Sequence, residues 1–169
     1  MSVDAIAQRA GASKATIYRW WPNKAAIVVE ALLASIEPEV EVPDSGSPER
    51  DLETLMRRTI RLFRSDKGRM IATLVGRAQS DPEVSEAYRT HLLEPRRAAV
   101  RPVIERGRAA GRFRSDICIE LAIDIVYGPL YERLLLRHAP LDEAFERDYP
   151  QVAVAAIRSL DPASAGPRG

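Results

Sequence analysis

Lys14, Tyr18, Arg19, Trp20 and Trp21 lie within eight residues, in the stretch GASKATIYRWW from Gly11 to Trp21. The chain has two tryptophans, and both are here. On a helical wheel Ile17 and Trp21 share one face with Trp20 beside them. Ala15 and Arg19 lie on the opposite face, flanked by Thr16 and Tyr18. The first face packs inward, and the second suits the major groove of DNA. Ala15 admits close approach and can touch a thymine methyl, while Arg19 or Lys14 can donate to guanine O6 and N7. Thr16 and Tyr18 can hydrogen-bond to phosphates on the groove walls. The N-terminal end of the helix adds free N–H groups and partial positive charge, and Lys24 offers a further phosphate contact. Within residues 1–36 four bases face two acids, a net +2.

Catalytic and metal chemistry find little support. His91 and His138 are the only histidines and have no metal-type spacing, and Cys118 has no sequence partner. No glycine-rich phosphate loop is present. The chain reads as a non-enzyme with no cofactor and no metal. A single cysteine excludes an intrachain disulfide, and Cys118 reads as a small buried apolar residue. With 169 residues, 46% of them apolar, the chain can bury a real core. A net charge of +1 argues against a histone-like binder but leaves room for a local basic patch. No signal segment leads the chain, and no apolar run reaches the ~18 residues of a membrane span. A soluble cytoplasmic protein is expected, with no membrane contact.

The elements that must position these residues read as helices. Val3, Ile6, Ala7 and Ala10 follow helical spacing, with Ser2 as cap and Gly11 as stop. Ser13 caps the next segment, which ends at Pro22, and Asn23 caps a third, to about Ile36. A helix, Gly-Ala-Ser and a second short helix form the helix-turn-helix pattern. EPEVEVPDSGSPE is acidic and proline-rich and reads as a linker. Beyond it, helices are expected to about Arg64, over about Lys67–Gln79, from Asp81-Pro82 to Ala110, from Ile117 (with Asp116 as cap) to about His138, and over Leu141–Leu160. Pro95 and Pro102 predict a kink or break, and Pro150 an interruption. The fold class is all-α: residues 1–36 a helix-turn-helix head, 37–48 the linker, 49–160 a helical-bundle body and 161–169 a disordered tail.

The stretch SVDAIAQRAGASKATIYRWWPNKAAIVVEAL, Ser2 to about Leu32, closely resembles the DNA-binding head of the TetR family of bacterial transcriptional regulators. Ile6-Ala7, Ala10-Gly11, Ser13, Thr16, Tyr18, Trp21 and Lys24 carry the resemblance. The rest of the chain resembles that family's helical body, and GPLYERLLLRHAPLDEAF, from Gly128 to Phe145, looks like one subgroup of it. The resemblance implies that Lys14, Ala15, Thr16 and Arg19 face bases or the groove wall. Thr16, Tyr18, Trp20 and Lys24 would hold phosphates, and Trp21 would be the core aromatic. The family places a further helix before Ser2, whereas this sequence starts at Met1, directly at the cap. The resemblance thus implies a repressor of double-stranded operator DNA with an incomplete head. The alternative is a dimeric ligand-binding or interaction module that has lost DNA binding with that helix.

Helix-turn-helix regulators usually bind two half-sites as two-fold dimers. The run from Ile117 to His138 is apolar on nearly all sides, so it is expected to be buried on more than one face. Ile119, Ile123, Val126, Leu130 and Leu134, with Val152, Ala156, Ile157 and Leu160 of the last helix, are the expected four-helix dimer face. A monomer core is the alternative for both helices. Family members commonly bind a small effector inside the body, which releases DNA. Met56, Phe63, Met70, Thr73, Leu74, Tyr88, His91, Tyr127 and Tyr131 are the candidate pocket residues.

Overall fold

The computed structural model describes residues 2–21 and 23–159, without the side chains of residues 37–40. The expected tail, 161–169, and Leu160 of the expected dimer face lie outside the described residues. Three helices open the chain: α1 (Val3–Ala10), α2 (Lys14–Trp20) and α3 (Lys24–Val40). Each begins at a short polar side chain that accepts a free amide. Ser2 accepts from Ala5 N at 3.2 Å, Ser13 from Thr16 N at 3.0 Å and Asn23 from Ala26 N at 2.9 Å. Gly11 ends α1 at φ +62°, a conformation glycine adopts without strain. The head has a small core of Val3, Ala7 and Ile17, with Trp21 and Ile27 against it.

The long helix α3 leaves this head and enters the body. Ala26, Val29, Leu32 and Ile36 are buried at three- and four-residue spacing, one face of the helix. Helical backbone continues through Val40, so the first part of the expected linker belongs to α3, and only residues 41–47 are non-helical. The body comprises α4 (Pro48–Arg64), α5 (Asp66–Ala78), α6 (Pro82–Tyr88), a π-helical turn over Arg89–Leu93, α7 (Glu94–Ala109), α8 (Ile119–Leu136) and α9 (Glu143–Ile157). Central helix α4 packs against α3, α5, α7, α8 and α9. One core gathers α3, the end of α4, α5, α6 and the end of α8; a second gathers the start of α4, α7, the start of α8 and α9.

The prolines bend expectations more than helices. Pro95 has no N–H, and its ring crowds the carbonyl four residues back. The π-helical turn just before it widens the ladder where that carbonyl sits, and the chain stays helical. Pro102 and Pro150 stand inside α7 and α9, which run through them. Pro129 inside α8 removes the donor to the Ile125 carbonyl. The Tyr149 hydroxyl stands 3.4 Å from that oxygen and donates to the Val126 carbonyl at 2.8 Å. Burial pushes the Tyr149 phenol up, so it remains a donor.

Two local expectations are corrected at the start of α8. Its cap is Cys118, not Asp116, and Cys118 is exposed rather than buried. Arg114 takes the Asp116 carboxylate at 2.7 Å and holds it down at about 2. Ile123, Val126, Leu130, Leu134 and Ile157 are 0–7% exposed and belong to the chain's own cores. Ile119 is half-buried, and Val152 and Ala156 are exposed. Leu121, Leu135 and Leu136 are the large exposed apolar side chains of α8.

The non-helical segment before α4 is fastened by one buried acid. Asp51 is 1% exposed, accepts from Ser45 N at 2.9 Å and pairs with Arg106 at 3.1 Å. Burial disfavours its charge, but the Ser45 hydrogen bonds and the Arg106 guanidinium outweigh it and hold the carboxyl below its ordinary range. A depressed folded-state value contributes stability above the unfolded carboxylate pKa of about 3.9, lost as pH falls through the folded value. Asp51→Asn is therefore expected to cost about 1–3 kcal/mol at pH 7 and to flatten the acid limb of stability below pH ~4. Urea unfolding across pH measures both; an unchanged acid limb would refute the assignment.

Candidate nucleic-acid interface and body cavity

Ser13 starts α2 and also meets Thr16, Oγ to Oγ1, at 2.8 Å. Ile17 turns inward at 6% exposure, and the remaining side chains of α2 stay outside. Lys14, Ala15, Thr16, Tyr18, Arg19 and Trp20 are all exposed, as is Lys24 at the start of α3. Trp20 is 67% exposed and does not share the inward face with Ile17, which corrects the wheel reading. The Arg19 guanidinium lies 5.6 Å from the Trp20 ring centroid, within cation–π range. Lys14 meets Asp4 of α1 at 2.9 Å, and that hydrogen bond and charge raise the ammonium pKa, so the cation persists through neutral pH.

The two tryptophans have opposite roles. Trp21 packs against both the head core and the body core, and its indole Nε1 donates to Glu30 of α3 at 2.7 Å. That bond ties the C-terminal end of α2 to the helix entering the body. An indole as exposed as Trp20 is unusual on an unpartnered surface and suits a site that meets another molecule.

A cavity of about 390 Å³ lies in the body between α3, α4, α7 and α8. Of the pocket residues read from sequence, Tyr127 and Tyr131 line it. Met56 is buried in the second core, and Phe63 packs edge-on against Tyr131 at 5.2 Å between centroids. Leu74 is buried in the first core, and Tyr88 stands behind the wall with its hydroxyl 3.4 Å from that of Tyr131. His91 is half-buried and does not line the cavity; Met70 is 52% exposed, and Thr73 bonds its own helix at Arg69 O. Glu30, Thr59, Arg96 and Arg97 also line the cavity and carry its polar character, and none of them is among the residues expected from sequence. The available signal was the Pro-Arg-Arg triplet at 95–97, charged residues on a helix that must also pack. Among the described residues no helix is long and apolar enough to cross a membrane.

A small head that presents one short helix to solvent, joined by a long helix to a helical body, is the architecture of helix-turn-helix DNA-binding regulators. Residues 1–31 match the family described as bacterial regulatory proteins, tetR family, and residues 42–151 match the tetracyclin repressor-like C-terminal domain. The chain belongs to the TetR family of transcriptional regulators, DNA-binding proteins rather than enzymes. It is 36% identical over 159 residues to the HTH-type transcriptional regulator YdeS of Bacillus subtilis strain 168, covering 94% of this chain and 80% of that one. It is 33% identical to the DNA-binding transcriptional repressor TetR of Mycobacteroides abscessus, covering 85% and 76%. The crystal structure of the TetR family transcription regulator SCO0332 superposes with a TM-score of 0.82 at 29% identity, covering 92% of this chain and 86% of that one. Regulators of this family bind DNA operators and act as dimers.

Proposed function

We propose that the chain is a cytoplasmic homodimeric repressor that reads a two-fold operator through α2 and lets go when a small molecule occupies the body cavity. The exposed face of α2 carries the reading: Lys14, Ala15, Thr16 and Arg19 meet bases or the groove wall, and Thr16, Tyr18, Trp20 and Lys24 hold phosphates. Exposed Leu121, Leu135 and Leu136 of α8, with Val152 and Ala156 of α9, support a dimer surface on these helices. Glu30 supports the coupling between sites. It lines the cavity and also holds the Trp21 indole at 2.7 Å, so the cavity wall and the end of α2 share one side chain.

Binding of the protein to the DNA just upstream of its own gene, titrated with salt in the presence of random competitor, tests this. Salt-sensitive binding that survives competitor is expected. A dimer that binds no duplex beyond the competitor level would reject it.

A further inference from the structure

We propose that the body cavity takes a small organic monoanion, a carboxylate on an apolar body, with Arg96 of α7 as the residue that receives its charge. The inference rests on the effector reading above and names the chemical class of that effector.

Arg96 lines the cavity, and its Nη1 is buried without a hydrogen-bond partner. Its neighbour Arg97 also lines the cavity but is already neutralised, with Glu120 at 2.7 Å and Asp124 at 2.8 Å. Among the described residues no carboxylate pairs with Arg96. Glu30, the acid in the wall, is exposed and already accepts the Trp21 indole. Half-buried Arg96 therefore brings to the cavity wall a guanidinium with no carboxylate partner among the described residues and one nitrogen without a hydrogen bond. A guanidinium nitrogen left without a partner away from water is costly, and a carboxylate drawn against the group relieves that cost through a two-pronged, charge-assisted hydrogen bond.

The surrounding groups fit the same guest. Burial holds the Tyr127 phenol up at about 12, so it is a donor at neutral pH. Thr59, 2% exposed, stands beside Tyr127 in the wall and directs its hydroxyl at the Tyr127 oxygen, which leaves the phenol O–H free to donate. One cation and one phenol donor suit a single negative charge better than a phosphate dianion. Leu33, Leu55, Val100 and Ile123 supply an apolar wall for the rest of the molecule. At about 390 Å³ the space is near the small end of ligand pockets, about 300–1,000 Å³. A short fatty acid or an aromatic acid fits that volume.

The test is calorimetric titration of the full chain with matched acids, primary amides and amines: octanoate, octanamide and octylamine, then phenylpropanoate and its amide and amine. The acids are expected to bind, and the amides and amines at least tenfold more weakly. Arg96→Gln is expected to weaken acid binding about ten- to hundredfold while leaving the melting temperature of the ligand-free protein unchanged or higher. Arg96→Lys is expected to restore part of the affinity. Amides or amines binding as tightly as acids, no acid binding at millimolar concentration, or acid binding indifferent to Arg96→Gln would each overturn the proposal. DNA release is scored separately on the wild-type chain. Arg96-dependent acid binding that leaves DNA affinity unchanged would uphold the anion site and reject the effector reading.

Discussion

Phe113→Ala is expected to lower the free energy of unfolding by about 3–5 kcal/mol. Phe113 is 2% exposed in the core shared by α4, α7, α8 and α9, although it lies in the segment between α7 and α8. Gly107 of α7 is buried there, and a Cβ at that position would overlap the Phe113 ring, so helix backbone and ring are in direct contact. The backbone around the ring is held as well. Arg114 N donates to Ile157 O at 2.9 Å, and Ser159 N donates to Arg112 O at 2.8 Å. Neither neighbour can slide in to fill the space, so truncation leaves a cavity as well as lost burial. Urea unfolding at fixed protein concentration reads the change as a shift in midpoint with unchanged slope. A loss below about 1 kcal/mol would mean that the segment collapses freely onto α7.

Arg19→Ala is expected to weaken specific DNA binding relative to non-specific binding by about 1–3 kcal/mol, a roughly five- to 150-fold loss of discrimination. The guanidinium is exposed, stands opposite buried Ile17 and is backed by the Trp20 ring at 5.6 Å. That support limits the orientations it samples before it meets a guanine edge. Lys24 differs, because it begins α3 rather than standing on the outer face of α2. Lys24→Ala is expected to weaken all sequences alike and to reduce the salt slope by about 1. Competition binding against matched and scrambled duplexes at several salt concentrations separates the two. Equal loss on both duplexes for Arg19→Ala would remove it from the base-reading set.

The head was legible because its determinants are local. Ser2, Ser13 and Asn23 each cap the helix that follows, within three residues of the amide they satisfy. The alternation of Ile17 against Ala15 and Arg19 likewise settles within two turns. Trp20 escaped because a wheel edge is ambiguous, and only packing separates it from Trp21. The body was legible as helices but not as surfaces. A helix apolar all round, such as α8, gives no local sign of which face meets its own chain, so Leu130 and Leu135 look alike in sequence yet one is buried and the other exposed. The cavity was illegible for the opposite reason. Its polar groups come from α3, α4, α7 and α8, and nothing in the Arg96-Arg97 pair reveals that one finds carboxylates on α8 and the other does not.

The most direct test of the account is selection of duplexes from a random pool by the full chain, followed by sequencing. An enriched sequence with two inverted half-sites is expected, their centres about one helical turn or a multiple of it apart, with enrichment lost on Arg19→Ala. Enrichment without two-fold symmetry, or a pool left random while the protein remains a folded dimer, would contradict it.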